Sequence, residues 1–87
     1  MDSVKKMIED GDVEQAITLL DHYIQQHPES DEAYFLRGNA YSKKGDFRQA
    51  LNNYLSAMDI NPGSPAKQSH AMLMKIMEFY NKDRYNH

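Results

Sequence analysis

The chain has 87 residues, a length at which one folding unit buries a modest core, and it has no cysteine to add a disulfide, a thiolate metal site or a cysteine nucleophile. Ten basic and thirteen acidic side chains leave a formal charge of -3, which offers no broad electrostatic footprint for nucleic acid or anionic lipid. The first fifteen residues, MDSVKKMIEDGDVEQ, hold no apolar run of signal-peptide type, and no stretch approaches a membrane span, so the reading is a cytoplasmic protein with no membrane attachment.

Val4, Met7 and Ile8 give a short first helix. Gly11-Asp12 marks its end: glycine takes the left-handed conformation that closes a helix, and aspartate caps the next one, with Gln15 three residues on as a capping box requires. From there Val13, Ala16, Ile17, Leu20, Tyr23 and Ile24 advance by three or four, the stripe of a second helix that Pro28 stops. Ala33, Tyr34, Arg37, Gly38 and Tyr41 lie along one side of a third helix. Gly38 inside it costs about 1 kcal/mol relative to alanine, which a close helix crossing would justify. Gly45-Asp46 and Gln49 repeat the turn signal. Phe47, Ala50, Leu51, Tyr54, Ala57 and Met58 form the stripe of a fourth helix, which Pro62 ends. Ser64 as cap and Pro65 at the first helical position open a fifth, with Met72, Ile76 and Phe79 as its core stripe and Leu73, Met77 and Tyr80 beside it. The closing NKDRYNH has no pattern, so fraying is expected over 82–87.

The two halves repeat one another. Gly11 recurs as Gly45, Asp12 as Asp46, Gln15 as Gln49, Ala16 as Ala50 and Pro28 as Pro62, all at an offset of 34 residues with no insertion or deletion. The apolar stripes follow in phase, Ile17 with Leu51, Leu20 with Tyr54 and Ile24 with Met58.

The run DEAYFLRGNAYSKKGDFRQALNNYLSAMDINP, residues 31–62, resembles a complete tetratricopeptide repeat through Tyr34, Gly38, Tyr41, Gly45-Asp46, Ala50, Tyr54, Ala57 and Pro62. Residues 1–28 resemble the same repeat without its first few residues, and 64–81 resemble the lone helix that usually closes these arrays, all within a single domain spanning 1–87. The resemblance implies an all-α fold, an α-solenoid of antiparallel helix pairs with five helices in right-handed superhelical stacking. Two departures from the family pattern stand out. Arg37 replaces a frequent leucine, and its stem is expected to pack while its guanidinium reaches solvent. Tyr23 stands where the second repeat has Ala57 and is expected to fill the space of the absent first turn.

In such proteins the first helix of each pair lines a concave groove. The resemblance therefore places Lys5 and Ile8 of the first helix, Phe35, Leu36, Asn39, Ser42 and Lys43 of the third, and Ser69, His70, Leu73 and Met77 of the fifth as partner-binding residues. The function implied is non-catalytic: a protein-protein interaction module or scaffold holding a partner peptide or helix. An alternative is a self-associating structural protein, such as a homodimer formed through the groove or through the terminal helix carrying Met74 and Tyr80. Some members grip the C-terminal carboxylate of chaperones with asparagines, lysines and an arginine. Here those positions carry Lys5, Leu36, Ala66 and His70, so that clamp is absent.

Other chemistry finds no support. His22, His27, His70 and His87 include no pair at the i, i+4 spacing that places two imidazoles on one helix face, so no metal is expected. Asp21 and His22 are helix neighbours pointing apart, with no nucleophile beside them. No glycine-rich phosphate loop is present. The reading is a protein without cofactor or enzymatic activity.

Overall fold

In the computed structural model, which describes the backbone of residues 1–85 and side chains through Tyr80, five helices follow in order. They are α1 (Asp2–Asp10), α2 (Val13–Gln26), α3 (Asp31–Lys44), α4 (Phe47–Ile60) and α5 (Ala66–Tyr85). Each packs on its neighbours in sequence, with the most extensive contact between α3 and α4, and α1 also reaches α3. The result is a slab of 46 × 28 × 17 Å.

The two turns are built identically. Gly11 and Gly45 have φ of 91° and 92°, the left-handed region where a side chain would be strained. In each turn the glycine N–H donates to the carbonyl three residues back, and the following aspartate N–H to the carbonyl five residues back. The caps that follow differ. Asp46 accepts from the Gln49 amide at 3.2 Å, whereas Asp12 makes no side-chain cap, contrary to the capping box read from Gln15. Ser30 caps α3 through Ala33, and the buried Ser64 accepts from Ala66 to start α5 as expected.

The core forms two clusters. Val4, Ile8, Ala16, Ile17, Leu20, Ile24, Ala33, Leu36 and Ala40 fill the first, between α1, α2 and α3. Ala50, Tyr54, Ala57, Ala66 and Leu73 fill the second, with Phe35 and Tyr41 packed against both. Gly38 lies at the α3–α4 crossing, where an added Cβ would stand 2.6 Å from the Tyr54 ring, so the expected close approach is present.

Four further expectations need correction. The Arg37 guanidinium does not end in open solvent. Its Nε donates to Asn53 Oδ1 at 2.7 Å, its Nη1 pairs with Asp21 at 2.8 Å, and its centre lies 5.3 Å from the Tyr34 ring centroid, tying α2, α3 and α4 together. Tyr23 does not fill a core vacancy: it is 39% exposed and stacks on His27 at 4.5 Å. The stripe Met72, Ile76 and Phe79 is exposed, because α5 turns Ala66 and Leu73 toward α4 instead. Finally, α5 remains helical to Tyr85, past the expected end at 81; Asn86 and His87, also assigned to a frayed tail, lie outside the described residues.

Candidate functional site

The α1, α3 and α5 helices carry the expected binding residues, and two shallow depressions sit among them. The first, of about 240 Å³, is lined by Lys5, Ile8, Glu9, Phe35, Leu36 and Asn39. The second, of about 170 Å³, is lined by Ser42, Tyr54, Ser69, Met72, Leu73 and Ile76. Both fall below the range of roughly 300–1,000 Å³ typical of enclosed small-molecule sites, and both are open. Their size suits single side chains of a longer ligand.

The depressions are joined by a hydrogen-bonded floor. Asn39, in the first, accepts from the Tyr54 hydroxyl, in the second, at 2.6 Å. The Tyr54 ring is buried, 6.2 Å from the Phe35 ring, and packs against Gly38. Because Asn39 Oδ1 is held by this phenol, its amide nitrogen is the group left to meet a ligand. Burial pushes the Tyr54 phenol above the ordinary tyrosine range, and a hydrogen bond with Ser42 pulls the other way.

This shift carries a testable consequence. Above the ordinary value of about 10, the unfolded chain releases the phenol proton while the folded chain holds it, so stability falls as pH rises past about 10. Urea unfolding at pH 9 and pH 11 is expected to show a smaller loss of stability in Tyr54→Phe than in the unsubstituted chain.

The other residues divide by depth. Ile8, Leu36 and Leu73 are buried and form floor, not walls. Lys5 pairs with Glu32 across α1 and α3 at 3.7 Å, and Lys43 reaches the Glu9 carbonyl at 3.2 Å, so both ammonium groups bridge the rim. His70 and Met77 are half-buried and line neither depression. The rotation of α5 that buries Leu73 brings Met72 and Ile76 to the second depression in their place.

Four lining residues escaped the sequence reading: Glu9, Tyr54, Met72 and Ile76. Tyr54 carried a usable signal. Its counterpart Leu20 is fully buried, and a tyrosine in such a place needs a partner for its hydroxyl, fifteen residues back across the helix pair at Asn39. Among the described residues, no three histidine, aspartate or glutamate side chains gather as a metal site, and no helix is long and apolar enough to cross a membrane.

Comparison with known proteins agrees with this architecture. Models of the tetratricopeptide repeat match residues 7–30 and 31–64. The chain is 51% identical to Bacteroides fragilis protein BF1650, whose solution NMR structure matches it with a TM-score of 0.88, covering 98% of this chain and 87% of that one. No curated protein matches. This chain belongs to the tetratricopeptide-repeat family, whose repeats generally mediate protein-protein interaction.

Proposed function

We propose that the chain is a non-catalytic interaction module, working in the cytoplasm, that holds a segment of a partner protein along the surface of α1, α3 and α5. The observation that carries this is the pair of side-chain-sized depressions joined by the Asn39–Tyr54 hydrogen bond. Phe35 and the buried Ile8, Leu36 and Leu73 supply apolar seats, while Asn39, Ser42 and Ser69 supply polar groups beside them. Lys5 and Lys43 mark the rim, and His70 and Met77 flank it on α5. Half-buried polar groups over an apolar floor suit a peptide, which needs its backbone satisfied as its side chains are seated.

Short random peptides selected on the immobilised chain provide the probe. Amide shift changes on binding are expected along α1, α3 and α5, and Lys5→Glu with Ser69→Glu is expected to weaken binding at least about tenfold. Both substitutions lie outside the buried core, and circular dichroism of the doubly substituted chain checks that it remains helical. Shift changes confined to α2 and the outer side of α4, or selected peptides indifferent to both substitutions, would sink this reading.

A further inference from the structure

Two asparagines at the α3–α4 contact are engaged to different degrees. Asn53 is buried with both ends of its amide bonded, the nitrogen to the Gln49 carbonyl and the oxygen to Arg37. Asn39 has only its oxygen bonded, to the Tyr54 hydroxyl at 2.6 Å. Among the described residues its nitrogen has no partner and is not buried, so it reaches solvent in the first depression.

An asparagine amide can stand either way round, and here the phenol decides. Turned over, the amide would donate to the Tyr54 oxygen, and the phenol would have to donate to Ser42. Ser42 acts on the phenol in the opposite sense. Its hydrogen bond favours the phenolate, as that of a donor does and that of an acceptor does not. The bond to Asn39 and the effect of Ser42 therefore agree on one direction of donation, from Ser42 to Tyr54 to Asn39. The Asn39 nitrogen is left facing outward.

We propose that Tyr54 is a positioning residue: by holding Asn39 Oδ1 it keeps the amide nitrogen in the first depression, which then selects a neutral acceptor, a main-chain carbonyl of an extended partner segment. This rests on the groove reading above and names the chemistry of its ligand. Ile8, Phe35 and Leu36 make the surroundings apolar, so a ligand covering the nitrogen without accepting from it strands a donor, at a loss of roughly tenfold or more in affinity. Glu9 lines the same depression, while Lys5 is paired with Glu32 and Lys43 donates to the Glu9 main-chain carbonyl. A carboxylate acceptor would meet Glu9, whereas a carbonyl brings no charge to be opposed. Carbonyls inside a helix are already bonded to the N–H four residues on, so an extended segment is the form that offers one.

Nuclear magnetic resonance and calorimetry on the full chain test this, with the peptides selected on the unsubstituted chain as probe. Without peptide, the Asn39 side-chain amide is expected to be ordered and to become mobile in Tyr54→Phe. An amide unchanged by that substitution overturns the positioning role whatever the peptides do. With peptide, Asn39→Asp is expected to weaken binding at least about tenfold, because an oxygen replaces the donor. Tyr54→Phe is expected to weaken it about twofold, since about half of the freed amides face the wrong way. Added to Asn39→Asp it is expected to cost nothing more, because a carboxylate presents oxygen whichever way it turns. Equal effects of Tyr54→Phe in both backgrounds would mark a merely structural tyrosine and overturn the proposal. Replacing the peptide's main-chain amides by esters one at a time is expected to find one position that loses affinity for the unsubstituted chain and not for Asn39→Asp; finding none overturns the main-chain carbonyl. Full binding to Asn39→Asp, with shift changes still along α1, α3 and α5, overturns this inference and leaves the groove standing. Shift changes confined to α2 and the outer side of α4 overturn both.

Discussion

Arg37→Ala is expected to lower the unfolding free energy by about 2–3 kcal/mol, most of it through a residue that is not charged. Asn53 is buried, with its amide nitrogen donating to the Gln49 carbonyl at 2.8 Å and its oxygen accepting, among the described residues, from Arg37 Nε alone. Removing the guanidinium strands that oxygen away from water, a loss of roughly 1–3 kcal/mol. The ion pair with Asp21 adds little, because Asp21 is half exposed and such pairs contribute about 0–1 kcal/mol. The guanidinium over Tyr34 adds roughly 0.5–1 kcal/mol. In a domain this small the sum lowers the melting temperature by about 10 °C or more.

The first repeat shows how the loss can be recovered. It carries Ser3 and Leu19 where the second carries Arg37 and Asn53, so the fold accepts a pair with no buried amide. Replacing both members of a hydrogen bond by apolar groups can be nearly neutral. Arg37→Ala with Asn53→Leu is therefore expected to melt above Arg37→Ala alone. A double variant less stable than the single one would show that the cost lay in lost packing of the arginine stem.

The turns, the helix pairs and most of the two core clusters were legible because they repeat. One 34-residue offset aligned Gly11 with Gly45 and Leu20 with Tyr54, and each copy supported the other. The rotation of α5 was not legible. Met72, Leu73, Met74, Ile76, Met77, Phe79 and Tyr80 surround more than half of that helix, so helical periodicity selects no single face. The choice of Leu73 is made by α4, through packing that no local pattern contains.

Polar pairing across the helix hairpin was hidden for a different reason. Arg37 meets Asp21 and Asn53 at a separation of 16 residues, and Asn39 meets Tyr54 at 15. Those separations are fixed by helix length and turn, so they follow once a two-helix repeat is recognised. Local spacing rules stop at three or four residues and miss them. The groove suffered the same loss, since its floor is built by Tyr54 of the second helix reaching under Asn39 of the first.

Gly38→Val is expected to be the most damaging change at the α3–α4 crossing, costing roughly 3 kcal/mol, the upper end for an overpacked core. A single Cβ already falls 2.6 Å from Tyr54 Cε1 and 2.7 Å from Cδ1. The ring has little freedom to retreat, because it is buried and its hydroxyl is held by Asn39. Helix propensity alone argues the other way, since valine is slightly better than glycine within a helix. The steric effect wins because the added carbons enter a space already occupied. The first repeat again supplies the compensation. At the equivalent positions it carries Val4 and Leu20, both in one buried cluster, so a larger residue on the first helix is matched by a smaller one on the second. Gly38→Val with Tyr54→Leu reproduces that combination. Urea unfolding is expected to show Gly38→Val strongly destabilised and the double variant recovering much of the loss, short of full because the Asn39 hydrogen bond goes with the tyrosine. If adding Tyr54→Leu only deepened the loss, the clash with this ring would not be what keeps residue 38 a glycine.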